Sequence, residues 1–214
     1  MIKRGARGFI GVMSETNTPA GVDWEQRFRD EDAPWERDHV HPAVAHWAAA
    51  GVLTPGARIH VPGCGRGREP EALARLGLAV TAVDLSETAM AWQRARLGDA
   101  GLDAALVTGD ALAFRPDPPA DLVWEQTFLC AINPHDRKRY EAMAFDSLAP
   151  GGRLLALFMQ KEERGGPPYG CGLDAMRALF APARWSWPAP ETFTAFAHPS
   201  MGPQAEIAVV LSRR

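Results

Sequence analysis

The chain has 214 residues, with 23 Lys and Arg against 26 Asp and Glu and a formal net charge of −3, a balance that offers no basic footprint for nucleic acid or an anionic membrane surface. Hydrophobic residues make up 46%, enough for the core of one α/β domain, and no apolar run is long enough to span a bilayer. The 3 cysteines, Cys64, Cys130 and Cys171, have neither metal-ligand spacing nor an even count, which fits a reducing, cytoplasmic compartment and no metal site.

The opening, MIKRGARGFIGVM, has an apolar stretch too short and too glycine-rich for a signal-peptide core. Met13 begins a more ordinary start, MSETNTPAG, and residues 1–22 read as a disordered tail ahead of a single domain over 23–214. Asp23 is placed to cap a short helix carrying Trp24, Arg27 and Phe28. Pro42 opens a second, HPAVAHWAAA, which stops at Gly51. Residues 23–50 are thus expected to form a helical flap.

A β-α-β-α rhythm follows. The pattern predicts a strand over Arg58–Val61, a helix over Gly67–Leu76 closed by Gly77, and a strand over Ala79–Val83. Next come a helix over Ser86–Leu97, capped by Ser86 and followed by Gly98, and strands over Asp103–Val107 and Asp121–Glu125. A long helix, Pro134–Leu148, ends at Ala-Pro-Gly-Gly, and a strand covers Arg153–Met159. Such alternation implies a mostly parallel sheet with helices on both faces. After a helix over Leu173–Phe180, two β segments, Glu191–Ala197 and Ala205–Leu211, are joined by a turn containing Pro and Gly. An antiparallel hairpin closing a parallel sheet separates the methyltransferase version of this fold from the dehydrogenase version, an association at the level of fold.

The first strand runs into Pro62-Gly63-Cys64-Gly65-Arg66-Gly67. Alternate glycines let the backbone turn tightly and approach a ligand, and the next helix points its free N–H groups at the same crevice. The same loop would serve simply to join a strand to a helix, and it is not a P-loop, because no Gly-Lys-Ser/Thr follows. Asp84, with Leu85 after it, ends the second strand, where a carboxylate accepts from a ribose diol. Its plain alternative is a helix cap, a task for which Ser86 is available. Asp110 and Ala111 follow the third strand, where they would meet an adenine edge or merely form a turn. Sugar-plus-adenine binding suits both a nicotinamide dinucleotide and S-adenosylmethionine. The spacing Gly63-x-Gly65-x-Gly67, in place of Gly-x-Gly-x-x-Gly, favours the second.

Over about residues 23–181 the chain resembles the thiopurine methyltransferase family, including its plant halide and thiol methyltransferase branch. The resemblance is carried by WEQRFRDEDAPWE, VPGCGRGREPEALARLGLAVTAVDLSETAM, GDALAF, DLVWEQTFLCAINPHDRKRY, LAPGGRLLALF and GGPPY. It implies a Rossmann-like class I methyltransferase fold with a mostly parallel seven-stranded sheet and a C-terminal antiparallel hairpin. It also implies S-adenosylmethionine as the donor and a small sulfur, selenium or halide nucleophile as the acceptor. By position, Trp24, Phe28 and Trp35 line the cofactor's methionine end, with Gly63 and Gly65 beneath it. Asp84 holds the ribose, Leu85 beside it also meets the cofactor, and Asp110 with Ala111 holds the adenine. Glu125 and Gln126 lie where the methyl group is presented, and Tyr169 of GGPPY borders the acceptor pocket. The plant members have Trp at the position of Phe28 and Tyr at that of Gln126, where animal thiopurine enzymes have Arg. The neutral Gln126 speaks against an anionic thiopurine acceptor.

Methyl transfer is an in-line displacement, and a thiolate needs little acid–base help, so positioning does most of the work. Gln126, Glu125 and Tyr169 are the positioning candidates. Transfer to oxygen or nitrogen would need a general base, for which His39, His41 and Glu125 are the candidates. A catalytically silent S-adenosylmethionine-binding module is a third reading, against which the intact glycine loop, Asp84 and Asp110 argue. Trp24, Phe28 and Trp35 fit either a sulfonium-facing group or ordinary packing. Cys64 and Cys130 read as small core residues, and Arg137, Lys138 and Arg139 as a solvated helix face. The sequence leaves the oligomeric state open, and a monomer is compatible with it.

Overall fold

A computed structural model describes residues 21–162 and 165–214. The tail expected over 1–22 lies outside them, apart from Gly21 and Val22. Helix α1, Trp24–Arg29, starts where expected, because the Asp23 side chain accepts from the Gln26 N–H at 2.9 Å. Helix α2, Ala43–Ala49, begins after Pro42 and ends before Gly51, whose φ is +68°.

The sheet then builds outward from strand β1, Arg58–Pro62. Helix α3, Glu69–Arg75, leads to β2, Ala79–Asp84. Helix α4, Glu87–Asp99, leads to β3, Ala105–Thr108. Ser86 caps α4, its Oγ accepting from Ala89 N–H at 3.1 Å. At the other end the expectation fails: α4 runs through Gly98 and stops at Gly101, whose φ is +64°. A glycine inside a helix costs only about 1 kcal/mol, so it ends a helix only where the chain takes the left-handed conformation.

Strand β4, Ala120–Gln126, precedes a short 3-10 turn, Pro134–Asp136, and helix α5, Arg137–Ser147. The single long helix expected over 134–148 is therefore two pieces. Strand β5, Leu148–Met159, begins before Ala-Pro-Gly-Gly, which forms an irregularity between the pairs Ala120 with Leu148 and Leu122 with Arg153. Helix α6, Leu173–Leu179, is followed by β6, Trp185–Ser186, β7, Thr194–His198, and β8, Gly202–Arg213.

Strand order is β3-β2-β1-β4-β5-β8, parallel as far as β5, with β8 antiparallel to it. Both β6 and β7 pair with β8 on its outer edge, at 212–213 and 202–208 respectively. The seven expected strands are thus joined by an eighth, β6, that shares an edge already occupied.

Side chains alternate across the sheet and feed two cores. Ile59, Val61, Leu122, Trp124, Leu155 and Leu157 pack with Trp47 of α2, Leu73 of α3 and Met90 of α4. Val123, Leu154, Ala156 and Phe158 pack with Tyr140 and Met143 of α5 and Phe180. Each such fully buried apolar side chain contributes about 1.5–3 kcal/mol. Trp47 meets Trp124 edge to face, ring centroids 5.1 Å apart. Because β2 and β4 flank β1 and lead away on opposite sides, a crevice opens at the carboxyl end of β1. Among the described residues no helix is long and apolar enough to cross a membrane.

Candidate active site

The glycine loop after β1 is held in an unusual shape. Gly63 and Gly65 take φ of +62° and +47°, where side chains are strained. A Cβ at Gly63 would lie 2.3 Å from Cδ2 of Phe128, and one at Gly65 2.9 Å from Cζ of Phe28. Aromatic rings from the segment after β4 and from the flap therefore sit directly on the loop.

Asp84 braces the loop from the end of β2. Its Oδ2 accepts from Gly65 N–H at 2.8 Å and its Oδ1 from Ser86 N–H at 2.9 Å. Burial raises its pKa, partly offset by these two amide donors. Gln93 of α4, fully buried, latches the loop from behind by donating to the carbonyls of Gly65 and Gly67 at 2.9 and 2.8 Å. Sequence reasoning missed it, since only the fold brings 93 to 65. Asp110 accepts from Leu112 N–H at 2.9 Å, and Ala111 is buried beside it. Leu85, an exposed large hydrophobe, borders the same crevice.

The flap is clamped by one carboxylate. Glu25 accepts from Ser86 Oγ at 2.5 Å, Thr88 Oγ1 at 2.7 Å and Thr88 N–H at 3.2 Å, all at the start of α4. Partial burial pushes its pKa up, but these donors and Arg29 bring it down to about 2. So anchored, Trp24 and Phe28 both face Trp35 edge to face, at 5.5 and 6.1 Å between centroids. Arg66 of the loop pairs with Glu36 at 2.7 and 2.9 Å, closing the flap onto the glycines.

The crevice brings together Trp24, Phe28, Trp35, Gly63, Gly65, Asp84, Leu85, Asp110, Ala111 and Gln126. Two expected residues are not among its lining. Glu125 alternates with Trp124 and Gln126 along β4, so it faces the opposite side of the sheet. There it is buried, with Oε1 accepting from Leu129 N–H at 2.8 Å, and burial lifts its pKa to about 7. Tyr169 also stays out. Its N–H is tied to the Cys130 carbonyl at 2.7 Å, and Pro167 and Pro168 of the same turn line the crevice in its place. Neither residue is among those lining the crevice.

Gln126 has a defined orientation, because Trp124 Nε1 donates to its Oε1 at 3.1 Å. Its amide N–H groups are left as donors. Thr127, Phe128, Ile132 and Met159 line the same crevice. Cys64 and Cys130 border the crevice, but burial pushes both thiols well above their ordinary pKa, so they are protonated packing groups. His41 is fully buried, its Nε2 3.1 Å from Glu206 and its Nδ1 accepting from Ala43 N–H at 3.0 Å. It is structural. His39 lies at the rim, with Nδ1 2.5 Å from Asp38. His198 and Ser200 also line the crevice and were not anticipated. Arg137 is not solvated as expected: it reaches the Gly170 carbonyl at 2.8 Å, and its Nε is buried.

A glycine-floored crevice at the switch point, with a carboxylate after β2 and an aspartate–alanine pair after β3, defines a class I methyltransferase. The fold is that of the 1,6-didemethyltoxoflavin N1-methyltransferase of Burkholderia thailandensis, with a TM-score of 0.70 and 20% identity, over 88% of this chain and 84% of that one. The family model described as thiopurine S-methyltransferase matches residues 20–202, and the chain belongs to that family of S-adenosylmethionine-dependent methyltransferases. It is 32% identical over 179 residues to a probable thiol methyltransferase 2 of Arabidopsis thaliana, covering 81% of this chain and 76% of the relative. Thiocyanate methyltransferase 1 of the same plant is 30% identical over 162 residues, 74% of this chain and 71% of that protein.

Proposed function

We propose that the protein methylates the sulfur, selenium or halide atom of a small, soft nucleophile, with residues 23–214 acting as one domain and about 23–50 as its flap. The observation that carries this reading is the make-up of the crevice: Gln126, whose carbonyl is taken by Trp124 and whose amide N–H groups are left to donate, shares its lining with the apolar Phe128, Ile132, Met159, Pro167 and Pro168. Apolar walls desolvate an anionic nucleophile, and a neutral donor steadies it without a competing charge. The relatives named for thiol and thiocyanate acceptors agree with this chemistry.

Carboxylates at the crevice are occupied elsewhere, which suits an acceptor that arrives already ionised. Glu36 pairs with Arg66, Glu69 accepts from His41 N–H, and Asp84 and Asp110 accept from backbone amides. The donor-set chemistry fits S-adenosylmethionine: Asp84 has lone pairs left for a ribose, Leu85 is an apolar group for a base, and Trp24 and Trp35 are aromatic groups lining the crevice where a cation would sit. When bound, that cofactor supplies an electrophilic methyl group on a sulfonium. This chain's part is to hold the acceptor in line with it and exclude water, worth up to about 7–11 kcal/mol as effective molarity.

Incubation with a labelled methyl donor and a panel of iodide, thiocyanate, hydrosulfide, benzenethiol and phenol tests the assignment. Label on sulfur or iodide is expected, and label on phenol alone would overturn it. Transfer to oxygen or nitrogen is the second reading, and His39 with its Asp38 partner at the rim is what favours it. Loss of activity in His39→Ala confined to phenol would support that alternative.

A further inference from the structure

Glu125 lines no part of the crevice, yet it fastens the segment that does. It stands one residue before the end of β4, buried on the side of the sheet opposite Trp124 and Gln126. Its Oε1 accepts from Leu129 N–H at 2.8 Å, which bridges the strand to the turn that follows. The amides of Leu129 and Phe128 both favour its charged form. Inside that bridge Thr127 takes a φ of +58°, which a β-branched residue adopts only under constraint. Beyond it the chain folds back on itself: Ala131 and Ile132 N–H both donate to the Phe128 carbonyl, at 2.9 and 3.1 Å, and Cys130 Sγ donates to the Thr127 carbonyl at 3.3 Å. The Cys130 carbonyl accepts from Tyr169 N–H at 2.7 Å, so the turn carrying Pro167 and Pro168 hangs on the same segment. Thr127, Phe128, Ile132, Pro167 and Pro168 all line the crevice. A buried amide without an acceptor is costly, so a turn with Thr127 strained and Leu129 N–H unpaired would not keep this shape.

We infer that Glu125 is a positioning residue: from the far side of the sheet it sets the segment 127–132, and with it the wall that receives the methyl acceptor. The inference rests on the crevice being the methyl-acceptor site, as proposed above. Glu125 acts through the backbone of this segment, and no bond or proton changes at it. What the segment needs from residue 125 is an acceptor atom in the place of Oε1, not a charge. Glutamine supplies that atom and an apolar side chain does not. Once the bridge is lost, the set shape becomes one of several, and acceptor binding is weakened by the fraction of time it is absent.

The test compares wild type, Glu125→Leu and Glu125→Gln, with labelled S-adenosylmethionine as donor and thiocyanate, benzenethiol and phenol as acceptors. Glu125→Leu should raise acceptor KM about tenfold or more, the loss of one buried hydrogen bond, with kcat within about threefold. Affinity for S-adenosylhomocysteine, read by calorimetry, should also stay within about threefold, because Asp84 and Asp110 follow β2 and β3 and have no bond to Glu125. Glu125→Gln should recover most of the loss in KM. Hydrogen exchange of the amides of 128–132 should be faster in Glu125→Leu and return toward wild type in Glu125→Gln. Binding of S-adenosylhomocysteine also reports folding. Glu125→Met takes the place of a leucine variant that does not fold, and failure of both to fold would overturn the inference by making Glu125 a folding residue. If wild type methylates phenol alone, the proposed function fails and Glu125 is judged by its phenol KM. If wild type methylates none of the three, exchange over 128–132 decides the role of Glu125. Equal acceptor KM in wild type and Glu125→Leu, a loss that glutamine does not recover, or unchanged exchange would each overturn it.

Discussion

At the scale of the residue, Glu125 shows how strand alternation separates a binding group from a buried one. The resemblance placed Glu125 and Gln126 together, but adjacent strand residues face opposite ways. The period-two rule applied to Leu122, Trp124 and Gln126 would have found this in the sequence. Glu125 has a testable consequence. Burial lifts its pKa from 4.5 to about 7. Between those values the folded state keeps a proton that the unfolded state releases, so its contribution to stability falls as pH rises from 4.5 to about 7. Glu125→Gln should be spared this loss, which amounts to about 3 kcal/mol at most. Urea unfolding at pH values on either side of the window, wild type against variant, measures it, and activity should survive because the side chain faces away from the crevice. Asp84→Ala should weaken cofactor binding by about tenfold or more and also destabilise, since two buried amides lose their acceptor. Calorimetry with the cofactor reads the first and thermal unfolding the second. Asp84 and Asp110 were legible because strand ends announce themselves. Gln93 and His198 were not, because only long-range pairing brings them to the crevice.

At the scale of the element, local signals were readable and their tertiary partners were not. Asp23 and Ser86 cap α1 and α4 as their positions require. Nothing near Glu25 in sequence reveals that it clamps one helix to the start of the other. The clamp predicts an acid sensitivity of the flap. With its pKa held near 2 rather than 4.5, Glu25 stabilises docking fully above pH 4.5, and the contribution fades as pH falls toward 2. Glu25→Ala should reproduce the undocked flap at neutral pH, with faster proteolysis around residues 30–40 and a cofactor KM raised severalfold. Unchanged proteolysis would mean that the aromatic contacts of Trp24, Phe28 and Trp35 hold α1 without it. The two-residue strand β6 was illegible for the same reason as the clamp: Trp185 is in a strand only because Arg213 lies opposite.

At the scale of the whole molecule, the alternation of strands and helices specifies the parallel half of the sheet, while the antiparallel edge carries a buried charge that ties it to the flap. Glu206 of β8 is fully buried and takes Arg37 at 2.6 Å and His41 at 3.1 Å. Arg37 also donates to the Ala197 carbonyl of β7. One carboxylate thus ties the part of the flap that carries Glu36 and His39 to the far edge of the sheet. No pattern in the sequence pairs 37 with 206. Glu206→Leu should strand the Arg37 guanidinium in a dry interior and cost about 3–5 kcal/mol. For a chain of this size that lowers the unfolding midpoint on the order of 10 °C. Because the flap would shift, cofactor KM should rise as well. Replacing both charges, Arg37→Met with Glu206→Leu, removes the stranded cation and should recover much of the stability. A double variant no more stable than Glu206→Leu alone would show that the two charges are not coupled and that the edge is held by strand pairing instead.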